Sequence, residues 1–208
     1  MKLKKRHFLI YLISFIFVFL GSVANGNSAT VGPKEQIKET AERTLAILSD
    51  KSLSEEAKKE LLRKAILPHL DFNEIARRAL ARHFKANESR MDEFVPLLKE
   101  FLENAYANMV VIESSKNVAI QVLGESIDAD DANYATVRTK IITTKGKEIP
   151  VDYRLRFNGN EWMVFDIVIA SVGMVSNYRS QFNAIIQKTS FDALMQGLKK
   201  KIEESKNK

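Results

Sequence analysis

Residues 161–182 read EWMVFDIVIASVGMVSNYRSQF, and their period changes partway along. Side chains alternate between two faces in a strand. Counting from Trp162 places Trp162, Val164, Asp166 and Val168 on one face, and Met163, Phe165, Ile167 and Ile169 on the other. Both faces are apolar, so this strand is expected to be covered on both sides. Ser171 and Gly173 interrupt the run, and Val175, Tyr178, Phe182 and Ile185 then recur at helical spacing. A strand of this kind needs a sheet beside it, and the helix that follows needs a layer to pack on.

The sheet is legible upstream. Val118, Ile120 and Val122 alternate with Ala119, Gln121 and Leu123. Residues 124–133 are polar and acidic and read as a loop. A second strand covers residues 134–143 and includes Val137, with a turn at Thr144-Lys145-Gly146-Lys147. Ile149, Val151, Tyr153, Leu155 and Phe157 form one apolar face against Pro150, Asp152, Arg154 and Arg156. Asn158-Gly159 is a hairpin turn into Trp162. Four strands joined by hairpin-sized links imply an antiparallel sheet.

Before residue 112 the apolar period is helical. Pro33 opens a helix with Ile37, Ala41, Thr44, Leu45 and Leu48 on its apolar stripe. Ser54 caps a second, carrying Leu61, Leu62, Ala65 and Ile66, which Pro68 ends. Asp71 caps a third, with Phe72, Ile75, Ala76, Ala79 and Leu80. A fourth runs over about residues 89–111 with Phe94, Leu97, Leu98, Phe101, Leu102, Ala105 and Met109 inward, and Pro96 is expected to kink it or shift its start. A last amphipathic helix holds Phe191, Leu194, Met195 and Leu198.

The first 24 residues read as a signal peptide. Lys2, Lys4, Lys5 and Arg6 precede an apolar run over residues 8–20, and Ser22-Val23-Ala24 has the small-x-small form of a cleavage site; a second site ends at Ala29. The competing reading is an uncleaved anchor, for which the run is short. The leader takes four of the 32 bases, leaving 28 against 26 acids. That balance does not suit a nucleic-acid binder. The remainder, residues 25–208, is the size of a single domain: a mainly helical part over 25–112, a sheet over 113–170 and C-terminal helices over 171–208. The chain contains no Cys, so a lipid-modified lipoprotein and a disulfide-stapled fold are both excluded.

Little in the chain suits catalysis. The three histidines, His7, His69 and His83, have no ligand spacing, and no serine elbow accompanies them. No glycine-rich phosphate loop exists. Asp166 is a carboxylate in an apolar strand, either a perturbed acid or base or a structural acceptor. A single carboxylate without a partner favours the structural role. Arg179 is suited either to a phosphate or to a pair with Asp166 across the strand–helix joint; its planar fork favours the pair.

Trp162, Val164, Asp166, Ile167 and Ile169, followed by Asn177-Tyr178-Arg179-Ser180-Gln181-Phe182, resemble the signature of the MlaC family, the toluene-tolerance (Ttg2-type) periplasmic lipid carriers. Leu67-Pro68, Asp71-Phe72 and Ile75-Ala76 resemble its helical region. The chain departs from the family pattern at Ala170 and Gly173. The resemblance implies an α+β fold with a curved, four-stranded antiparallel sheet, cone-like in the manner of nuclear transport factor two, plus a helical annex. It implies a periplasmic carrier, not an enzyme, shuttling glycerophospholipid between an inner-membrane ABC lipid transporter and an outer-membrane lipoprotein–porin complex, and so maintaining outer-membrane lipid asymmetry. It further implies a monomer that needs no cofactor. Acyl-chain contacts are expected from Phe101, Tyr106, Val122, Val137, Val151, Tyr153, Leu155, Trp162, Val164, Tyr178 and Phe182. Two alternatives stand beside it: a carrier of hopanoid-type cargo or one serving solvent tolerance, and an enzyme of cone-like fold using Asp166.

Overall fold

The computed structural model describes residues 31–114 and 118–206, with backbone only for residues 106–114. The expected leader, both expected cleavage sites and the side chains of Tyr106 and Met109 lie outside the described residues. Four α-helices, α1 (Pro33–Ser49), α2 (Glu55–Ile66), α3 (Phe72–Leu80) and α4 (Met91–Ser114), precede the sheet. The strands are β1 (Ala119–Ile127), β2 (Tyr134–Ile142), β3 (Glu148–Phe157), β4 (Trp162–Ile169) and β5 (Val172–Gly173), in that spatial order and antiparallel. Helices α5 (Met174–Lys188) and α6 (Phe191–Lys206) follow. The protein is thus α+β with an open sheet. Among the described residues no helix is long and apolar enough to cross a membrane.

Local chemistry accounts for the helix boundaries. Pro33 occupies the first turn of α1, where its missing N–H costs nothing. Ser54 Oγ accepts the N–H of Ala57, and Asp71 Oδ1 accepts that of Glu74. Pro68 stops α2 in a short 3₁₀ turn over Leu67–His69. Pro96 lies inside α4, which follows a 3₁₀ turn over Lys85–Arg90 and starts two residues later than the apolar spacing suggests. The stripe expected on α1 is buried only at its first turns, through Gln36 and Ile37. Leu61, expected inward, is exposed, and Leu62 and Ala65 carry the α2 contact instead.

The sheet departs from the sequence pattern in three places. β1 runs on to Ile127 where a loop was expected. β5 is a fifth strand, only two residues long. The third departure decides which residues share a face. Arg154 pairs with Asp166, but the next residue, Leu155, pairs with Val164, so β4 carries one extra residue, Phe165, at a bulge. Trp162 and Val164 therefore share a face with Ile167 and Ile169, while Phe165 and Asp166 turn to the other side. A second bulge, between Val122 and Gly124, turns Leu123 out to solvent.

Two apolar cores result. One is helical: Ile75, Leu80, Phe94, Leu98, Phe182, Phe191 and Leu194 of α3 to α6, with Phe165 and the partly buried Tyr134 contributed by the sheet. The other lies on the opposite sheet face: Ala135, Val137, Leu155, Trp162 and Val164 under Ile37 of α1.

Candidate functional site

The apolar sheet face is the candidate site. Register places Val122 beside Thr139, Thr139 beside Val151, Val137 beside Tyr153, Tyr153 beside Ile167, and Leu155 beside Val164. Val137, Val151 and Leu155 are buried. Buried Thr139 is silenced locally: it donates its hydroxyl to the carbonyl of Val151 at 2.8 Å. Burial pushes the Tyr153 phenol pKa up, because an apolar surrounding disfavours phenolate.

Helix α1 is tied over one margin of this face. The Gln36 amide brackets Trp162: its Nε2 donates to the Trp162 carbonyl, and its Oε1 accepts the Trp162 N–H at 3.2 Å. The Lys34 N–H, in the first turn of α1, donates to Glu125 of β1 at 2.9 Å. Gln36 was invisible to the sequence reading, since an amide in a first helical turn carries no pattern of its own.

The opposite face is fastened to the helices by charge. Arg156 reaches Asp71 Oδ2 through Nε at 3.0 Å and Nη2 at 2.5 Å. Glu74 accepts from Arg77 at 2.6 and 2.7 Å and from Arg78 at 2.6 Å. The Arg78 guanidinium lies 4.2 Å from the Phe165 ring centre and 5.3 Å from that of Tyr134. Burial raises the Glu74 pKa, but the hydrogen bonds from Arg77 and Arg78 outweigh it and hold the carboxyl below its ordinary value. Clefts of about 290 and 320 Å³ open on this side, among Glu74, Arg77 and Arg156 and around Arg78, Thr136 and Arg154. The first is walled by Phe84, Met91 and Val95 as well, and the second by Tyr134 and Phe165, so both mix charged and apolar side chains.

Asp166 belongs to that fastening. It is 3% exposed; Oδ1 accepts the Val175 N–H at 2.9 Å, and Oδ2 meets Arg154 at 3.3 Å. The expected pair with Arg179 does not form: Arg179 donates instead to the carbonyl of Arg78 at 2.9 Å. Asp166 thus holds the start of α5 against the sheet. Asp166→Asn keeps an acceptor for Val175 but loses the charge opposite Arg154, which is 52% exposed. Its expected cost is about 1 kcal/mol, read by urea denaturation, with bound lipid unchanged. Loss of a measurable turnover in this variant would instead identify Asp166 as a catalytic group.

The structure divides the expected site residues. Val122, Val137, Val151, Tyr153, Leu155, Trp162 and Val164 share the apolar sheet face. Phe101, Tyr178 and Phe182 sit in the helical core, with ring centres of Phe101 and Tyr178 5.6 Å apart and those of Tyr178 and Phe182 also 5.6 Å apart. Among the described residues no three His, Asp or Glu side chains group to hold a metal.

An open antiparallel sheet with one apolar face and one face bolted to a helical layer is a framework suited to covering an apolar ligand. Residues 38–200 match the MlaC protein family, and the chain belongs to that family. The toluene tolerance protein ttg2D of Pseudomonas putida is 24% identical over 135 residues, covering 64% of this chain and 61% of that protein. The intermembrane phospholipid transport system binding protein MlaC of Haemophilus influenzae is 26% identical over 139 residues, 65% of this chain and 64% of that protein. The chain therefore spans less than two thirds of the length of either relative. In fold it is similar to the phospholipid-binding protein from Ralstonia solanacearum, solved in complex with a phospholipid. That likeness has a TM-score of 0.71 at 23% identity and covers 85% of this chain and 99% of that one.

Proposed function

We propose that this protein is a periplasmic phospholipid carrier whose acyl chains lie against the apolar sheet face. The observation that carries the reading is the apolar surface that Val122, Val137, Val151, Tyr153, Leu155 and Val164 share across four strands. An acyl chain gains about 0.8 kcal/mol for each CH₂ hidden from water, so a lipid crosses an aqueous compartment only under cover. The phospholipid held by the similar Ralstonia protein and the intermembrane transport named for the Haemophilus relative support the same reading. In that role the protein shuttles lipid between an inner-membrane ABC lipid transporter and an outer-membrane lipoprotein–porin complex, serving outer-membrane asymmetry. No enzymatic step is needed, and the partners of Asp166 argue for a structural carboxylate.

The test is organic extraction and mass spectrometry of protein purified from the periplasm. Glycerophospholipid in near-stoichiometric amount is expected. A hopanoid-type cargo, or no lipid from a folded protein, would overturn the assignment.

Tyr153 provides a spectroscopic handle on the same face. A raised phenol pKa adds stability that is present below the ordinary tyrosine value of about 10 and is lost as pH rises through the folded value. In an ultraviolet pH titration a late-ionising tyrosine step is expected, and Tyr153→Phe should remove it. Its persistence in the variant would place the buried phenol elsewhere.

A further inference from the structure

At one end of the sheet the apolar face runs out past its helical cover. Ile169 and Val172, paired across the β4–β5 turn, are 49% and 64% exposed. The turn between them is tight: Ala170 and Ser171 both take positive φ, 48° and 69°, which side-chain-bearing residues rarely adopt. The Ala170 N–H donates to the carbonyl of Pro150 at 3.0 Å, which fixes the turn beside the start of β3. Pro150 in turn pairs with Lys140, and Ile149 with Ile141, so the β2–β3 turn lies at the same end. That turn carries Lys145 and Lys147, both exposed, on a backbone closed by Thr143, Gly146 and Lys147. Lys140 is already engaged by Glu148 at 2.7 Å.

The other end has the opposite charge. The β1–β2 connection holds Asp128, Asp130 and Asp131, all exposed, and lies beside the β3–β4 turn through the Phe157 N–H to Asn133 carbonyl bond. The turns are therefore polarised in charge along the sheet, with bases at one end and acids at the other, although Ile127 beside the acidic connection is also exposed, at 45%.

We propose that the end built from the β2–β3 and β4–β5 turns docks on an anionic lipid bilayer. Lys145 and Lys147 would meet the headgroup charge, while Ile169 and Val172 enter the headgroup–acyl boundary. Two adjacent hairpin turns present these side chains at an extremity rather than in a groove, which fits a soft surface better than an acidic protein partner. The acidic connection at the far end is repelled by the same surface and sets one orientation.

Flotation of the intact protein with vesicles of phosphatidylglycerol and phosphatidylcholine tests it, with pure phosphatidylcholine vesicles as the control. Binding to the anionic vesicles that weakens with salt is expected. Removing both bases in Lys145→Ala/Lys147→Ala should weaken it about thirtyfold, converting roughly 1 kcal/mol per base near an anionic surface. Val172→Trp should show a blue-shifted emission component with anionic vesicles only. These residues are exposed, so melting should match the parent, and extracted phospholipid content should be unchanged, which keeps the cargo reading separately testable. Equal binding to both vesicle types, no binding to either, or undiminished binding by the double variant would each overturn the proposal. So would binding of the same turns to an acidic protein by a chain that ignores vesicles.

Discussion

Phe94→Ala is expected to lower the free energy of unfolding by about 3–5 kcal/mol, the range for deleting a fully buried phenyl ring. Phe94 is the junction of three helices. Its ring centre lies 6.0 Å from that of Phe182 in α5, edge to face, and 5.5 Å from that of Phe191 in α6. Truncation opens a void between α4, α5 and α6 that flanking Leu98 and Leu194, themselves buried, cannot fill without moving. The lost ring–ring contacts add to the lost burial. For a domain of this size the melting temperature should fall by roughly 6–20 °C. Urea denaturation followed by circular dichroism measures it directly. A cost below about 1 kcal/mol would mean that these helices do not share one core.

Periodicity exposed the elements but not the faces. The helices beginning at Pro33, Glu55 and Phe72 and the strand ending at Phe157 were legible from caps, prolines and alternation. The face of β4 was misread because a count of two assumes an unbroken ladder. The extra residue at Phe165 moves every later side chain to the other side. The one clue was Asp166 itself, a carboxylate that plain counting placed beside Trp162 and Val164. Its partner is Arg154, directly opposite in register across the β3–β4 hairpin, whereas the strand–helix joint and a planar fork point to Arg179. An aromatic at helical spacing does not reveal which of two cores it enters, so Phe101, Tyr178 and Phe182 read like the sheet residues although they pack among the helices. β5 was too short to show any period. The family signature survived these errors because it rests on residue identities rather than on which way each one points.

Val151→Glu is expected to leave the protein folded and to reduce copurifying phospholipid at least about tenfold, because an unpaired carboxylate in an apolar site costs several kcal/mol. Leu155→Glu tests the same face where it is packed. The two positions differ in their surroundings. Leu155 is part of the cluster with Ile37, Val137 and Trp162, so a glutamate there displaces core atoms as well as cargo. Val151 is buried, yet among the described residues it belongs to neither packed cluster. A charge at Val151 therefore tests the proposed ligand-facing part of the sheet, and one at Leu155 tests the packed core. Val151→Gln separates charge from bulk, since it matches the glutamate in size but is neutral, and it should retain more lipid. Circular dichroism and melting report folding, and extraction with mass spectrometry reports cargo. If Val151→Glu unfolds as readily as Leu155→Glu, this region of the face is solid core rather than pocket wall. If both variants fold and carry the parental amount of phospholipid, the acyl chains lie elsewhere.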